Sequence, residues 1–140
     1  MPFDRTFEPE RQLLVMRAMD VGTLRDALEG LQAVAGGAAL ETRASLLLDL
    51  RGLAFHPSAP EAYALAAELA AVMREGGRRV AILTGPGVQY GCGRMIGTVA
   101  EMRGIAVHVA MEEAEALHWL GLPQEHESDA KEVARPRASG

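Results

Sequence analysis

The chain has 140 residues, 49% of them apolar and 24% charged, a balance that fits one globular domain burying about two thirds of its unfolded surface. Aromatic residues reach only 4% and the formal charge is −5, which argues against base-stacking platforms and phosphate-tracking grooves, so nucleic acid is not an expected partner. The single cysteine rules out an internal disulfide, and there is no apolar leader and no apolar run of about 20 residues, so the expectation is a cytoplasmic protein without a transmembrane segment.

In chain order, Phe3, Arg5 and Phe7 alternate with Asp4 and Thr6, EPER supplies a turn, and residues 12–18 (QLLVMRA) form an apolar run of strand length, together predicting an opening hairpin. From Thr23 the period changes. Leu24, Ala27, Leu28, Leu31 and Val34 recur at helical spacing behind a Thr23–Asp26 capping pair, and the helix should end near Gly36 and Gly37. Residues 45–50 (SLLLDL) predict a central strand buried on both faces. Ala62, Leu65, Ala66, Leu69, Val72 and Met73 mark the clearest helix, opened by a Ser58–Glu61 capping box and closed by Gly76 and Gly77.

Residues 79–84 (RVAILT) and 105–109 (IAVHV) are two further strands, separated by a helix on which Met95, Val99 and Met102 share a stripe. Glu112 and Glu113 open a last helix through Leu120, acids set against its positive end. This alternation predicts one α/β domain over residues 1–122, a single mixed, largely parallel sheet of about five strands flanked by about four helices, with right-handed crossovers. Residues 123–140 have little to bury and read as a polar, disordered tail.

Two stretches carry candidate chemistry. LTGPGVQYGCGRM, residues 83–95, places four glycines between a strand and a helix, where backbone N–H groups can hold an anion, yet it matches neither GxxxxGK[ST] nor GxGxxG. Its glycines are therefore read first as turn formers with φ > 0. Cys92, read into the first helical turn beside Arg94, is a conceivable nucleophile, but it lies in no Cys-x-x-Cys pair. Arg94 is the better candidate, as a clamp for a carboxylate or phosphate, with a surface ion pair to Glu101 or to an acid of the tail as the plain alternative.

The second stretch, DLRGLAFHPSAPE, residues 49–61, holds Asp49, His56 and Ser58, without the GxSxG elbow that a hydrolase of the α/β type needs. The four histidines show no HxxxH or HExxH spacing, so neither a metal nor another cofactor is expected. Both stretches follow the carboxyl ends of strands, where open α/β sheets bind ligands. If those strands are neighbours, Asp49, His56, Ser58, Tyr90, Gly91, Cys92 and Arg94 gather on one rim, the predicted site.

DLRGLAFHPS resembles the strand-loop of STAS domains, the anti-sigma-factor antagonist fold, with Asp49, Gly52, Phe55 and Ser58 on the motif and MDVGTLRDAL resembling the segment before it. Pro57 and Pro60 stand where that motif carries an acid and a glycine. EPER, VAIL, YGCGRM and EEAEALHWL are similar to motifs of the SpoIIAA-like family, whose fold is related to the CRAL-TRIO lipid-transfer domains. The resemblance covers nearly all of residues 3–122. It implies a non-enzymatic regulatory or binding module, with Ser58 as a phosphorylation site, a protein partner such as a regulatory kinase or a small anionic or apolar ligand, and Trp119 and Leu120 as core packing. The alternatives are a lipid or small-molecule carrier and a small enzyme using Cys92. An edge strand pairing across a two-fold axis would make a homodimer.

Overall fold

The structure is a computed structural model and describes residues 3–34, 43–74 and 79–122. The glycine pairs at 36–37 and 76–77, expected to close two helices, and the expected tail at 123–140 with His126 lie outside the described residues.

A hairpin opens the fold as expected: β1 (Phe3–Glu8) pairs antiparallel with β2 (Leu13–Ala18). Gln12 turns the chain with φ 48°, so the strand starts one residue after the apolar run does. Then come α1 (Leu24–Gln32), β3 (Ser45–Asp49), α2 (Ala59–Arg74), β4 (Arg79–Leu83), α3 (Val88–Met102), β5 (Ala106–Ala110) and α4 (Glu113–Trp119). Among the described residues the protein is thus an α/β structure with one five-stranded mixed sheet, mostly parallel, and four helices.

The sheet order is β1-β2-β3-β4-β5, the order of the chain, with β2 to β5 parallel. Successive neighbours joined by crossovers of one hand put every crossover helix on the same face. Accordingly α1, α2 and α3 share one core with Leu14, Met16, Leu46, Leu48, Val80, Ile82 and Val107. The alternate residues Leu13, Val15, Leu47, Ala81, Leu83 and Ala110 form a second core under α4, which follows the last strand and is free to fold back beneath the sheet. Strands with a helix layer on each side explain why SLLLD is buried at all five positions.

Local signals operate as read. The Asp26 N–H donates to Thr23 Oγ1 at 3.1 Å and caps α1. Glu61 N–H donates to Ser58 Oγ at 3.3 Å while Ser58 N–H donates to Glu61 Oε1 at 2.9 Å, the reciprocal box that starts α2. The stripe of α3 comes out differently. Its buried face is Gly93, Ile96, Gly97 and Ala100, and Met95 and Met102 stand exposed, because the glycines let the helix lie directly on the sheet. A Cβ at Gly93 would come within 2.6 Å of Thr84 Cγ2.

Candidate functional site

β3 and β4 are neighbours, which meets the condition set by the sequence reading, and the loops leaving their carboxyl ends lie side by side. The thiol of Cys92 donates to the Pro57 carbonyl at 3.5 Å and fastens α3 to the loop ahead of α2. The loop after β3 is fixed on its other side as well. Val21 N–H donates to the Gly52 carbonyl at 3.2 Å, Ala54 N–H donates to the Val21 carbonyl at 2.7 Å, and Gly52 presses on the carbonyl oxygen of Ala18, where no side chain fits. Between the two loops lies an open hollow of about 480 Å³ lined by Arg51, His56, Gly85, Pro86, Val88 and Gln89.

Under this hollow sits the one strongly ionic feature among the described strands. Arg17 and Asp49 are in register on β2 and β3, and Arg17 Nη1 donates to Asp49 Oδ2 at 2.8 Å. The same Nη1 and its neighbour Nη2 also donate to Glu113, the first residue of α4, at 3.0 and 3.1 Å. Arg51 closes the set: its Nε and Nη2 donate to Asp49 at 3.0 and 2.9 Å, and its backbone N–H donates to Asp49 Oδ1 at 3.0 Å. Burial pushes the Asp49 carboxyl up, but the bonds from Arg51 and then Arg17 outweigh it and hold the group below the usual carboxylate range. Arg17 is raised first by Glu113, against its own desolvation, and Arg51 is raised first by Asp49. Two guanidinium groups balance two carboxylates, so the cluster clasps α4 to the ends of β2 and β3. Both Asp49 oxygens are spent in that clasp, which leaves no basic lone pair for proton transfer.

The seven residues expected on one rim separate into three settings. Asp49 belongs to the ionic clasp and reaches the hollow only through Arg51. His56 and Ser58 are exposed on the loop over the hollow, with Cys92 half-buried beside Pro57. Tyr90 and Arg94 line another groove, on the β5 side of α3, while Gly91 is exposed on the same helix. Arg94 Nη1 donates to the Tyr90 hydroxyl at 3.4 Å, with its guanidinium 5.9 Å from the ring centroid, and makes no ion pair with Glu101; the tail acids of the same alternative lie outside the described residues. Cys92 is the fifth residue of α3 and so begins its second turn, beyond the free N–H groups of the helix start. Of the four glycines in residues 85–93, Gly87 alone has positive φ, 71°; Gly93 is there for close packing. Trp119 is not wholly core. It stacks on His108 at 5.4 Å with Arg79 at 5.2 Å, while Leu120 beside it is buried.

Arg17, Arg51 and Glu113 were missed, although a signal for the pairing of Arg17 with Asp49 exists. QLLVMRA and SLLLDL each carry one charge near the end of a buried strand, of opposite sign, which in adjacent parallel strands invites a pair. Comparison with protein-family models, with curated proteins and with solved structures gave no match. Among the described residues no helix is long and apolar enough to cross a membrane, and no three His, Cys, Asp or Glu side chains converge as metal ligands. The Cys92 thiol meets a carbonyl rather than a base, and the Ser58 hydroxyl accepts a helix N–H.

Proposed function

We propose that the protein is a non-enzymatic, STAS-like regulatory module that binds a partner protein at the rim carrying Ser58 and, on the next face of α3, Arg94. The observation that carries this reading is the outward line of α3. Val88, Met95 and Met102, seven residues apart, are 64%, 42% and 80% exposed, and they run from the hollow along the helix packed against α2. Tyr63 of α2, 53% exposed, accepts a bond from Arg103 Nη2 at 2.9 Å and extends the surface beyond Met102. Exposed apolar side chains in a row mark association surfaces. Methionine adapts to varied partners.

A carrier would need interior space. The apolar cavity between α1, α2 and the sheet, lined by residues such as Phe3, Leu48, Leu65 and Ile96, measures about 10 Å³, the room of one water molecule. Ser58 gives the surface a means of control, since a phosphate on it would add negative charge at the start of a 16-residue helix, beside the exposed line. Native mass spectrometry of gently purified protein, then pull-downs with wild type, Ser58→Asp and Met95→Asp, test the reading. A bare native mass, with a partner that wild type retains and both variants release, supports it. A co-purifying small molecule, or retention indifferent to both substitutions, refutes it. A second reading, a small anionic ligand in the hollow, is favoured by Arg51 and His56 at its wall, and titration with inorganic phosphate by NMR tests it.

A further inference from the structure

We infer that the edge of β5, unpaired among the described residues, is a docking site for the β5 of a second copy of this chain, joining two sheets across a two-fold axis at His108. Among the described residues the sheet has two edges, β1 and β5. Charged residues guard β1, where Asp4 and Arg5 are exposed, whereas β5 reads AVHVA, short, rich in valine and free of proline, lysine or acid. The Thr84 N–H donates to the Ala110 carbonyl at 2.9 Å, so Ala110, and with it His108 and Ala106, turns its peptide groups toward β4. By the two-residue period, the N–H and C=O groups of Val107 and Val109 point away from the sheet. A groove of about 280 Å³ follows this edge, with Tyr90, Arg94, Thr98 and Glu101 of α3 on one wall and Glu115 of α4 on the other.

The groove is complementary to itself. A Cβ on Gly97 would lie 3.0 Å from Val109 Cγ2 and 3.3 Å from Val107 Cγ1, which sets Gly97 level with His108, the middle of β5. Arg94 lies three residues before Gly97 and Glu101 four after it, about 5 Å to either side along the helix axis. An antiparallel second β5 centred on His108 pairs Val107 with Val109 of the other copy, and Val109 with its Val107. All four outward-pointing residues are then satisfied as hydrogen-bonded pairs. The same axis runs the second α3 antiparallel to the first, bringing each Arg94 against the other copy's Glu101 over the small residues Gly97 and Thr98. Among the described residues neither Arg94 nor Glu101 has an ion-pair partner within its own chain. Backbone, helix spacing and charge all close under one operation.

Sedimentation equilibrium over a concentration series, on the full chain and on charge-reversed variants, tests this. Wild type should approach twice the monomer mass, and Arg94→Glu or Glu101→Arg alone should raise the dissociation constant at least about tenfold, since each sets like charges face to face. The double variant Arg94→Glu with Glu101→Arg should restore it, and an equimolar mixture of the two single variants should form mixed dimers. Both residues are exposed, so folding is preserved, which circular dichroism verifies. A wild type that stays monomeric, a dimer indifferent to the single reversals, or an edge that binds only an unrelated chain overturns the inference.

Discussion

Replacing Asp49 with Asn removes a negative charge and leaves the side-chain volume nearly unchanged, so Asp49→Asn isolates the electrostatic share of the clasp. The carboxylate is 7% exposed and accepts two charged bonds from Arg51 and one from Arg17, besides a backbone N–H. Breaking a fully buried ion pair costs about 3 to 5 kcal/mol. The two guanidinium groups here are 33% and 47% exposed and recover part of their hydration, and Arg17 keeps Glu113, which brings the expected loss to about 2 to 3 kcal/mol. With a urea slope of about 1.5 kcal/mol/M, the unfolding midpoint should fall by roughly 1.3 to 2 M. Arg25→Ala is the control: its partner Glu29 is one helical turn away, both side chains are largely exposed, and the loss should stay within about 0.5 kcal/mol. The pH dependence follows from the depressed folded value of Asp49. Its contribution is complete above the unfolded carboxyl pKa of about 3.9 and is lost as pH falls through the lower folded value, so the gap between wild type and Asp49→Asn should close in acid. A midpoint change under about 0.7 M, or a gap unchanged by acid, would show that the arginines rehydrate freely and that the clasp holds no better than a surface pair.

Ser58→Ala should cost about 1 kcal/mol in urea unfolding by removing the cap of α2, while Ser58→Asp keeps an acceptor and should stay near wild type, so a difference in partner binding between the Ser58→Asp variant and the wild-type protein would not be a stability effect. Gly52→Ala should lower Tm by about 8 °C, because the added methyl meets the Ala18 carbonyl oxygen and must displace the loop that holds Val21 and Leu53 together; a fall of less than about 2 °C in calorimetry would mean that the loop yields cheaply. Iodoacetamide at neutral pH should alkylate Cys92 more slowly in the folded protein than it does glutathione, since the thiol is half-buried and bonded to Pro57, and faster modification would return the thiol-enzyme alternative to consideration.

Much of the architecture was legible because it rests on short-range signals. A buried strand such as SLLLD announces itself by an unbroken apolar run, and the two capping pairs mark helix starts to the residue. The site was less legible. The periodicity of α3 identifies a helix but not which stripe faces inward, since Gly93 and Gly97 carry no hydrophobic signal and yet make the closest contacts with the sheet. Of the stripe read from Met95, Val99 and Met102, only Val99 is consequently packed against the core, and the two methionines face outward. Similarly, the single rim drawn through seven residues assumed that side chains following one strand end face one way, whereas successive positions on α3 send Tyr90 and Arg94 toward β5 and Cys92 toward Pro57.

The sequence by itself determined the order and kind of the elements and the hairpin at the start, because hydrophobic period, caps and turn residues act over a few positions. Tertiary structure alone decided that the sheet order follows the chain, so that no strand reversal opens the crevice in which doubly wound sheets hold ligands. It also decided that Arg17, Asp49, Arg51 and Glu113 meet, although 96 residues separate Arg17 from Glu113. Pairing over such a separation is set by where α4 folds back beneath the sheet, and no local pattern encodes that.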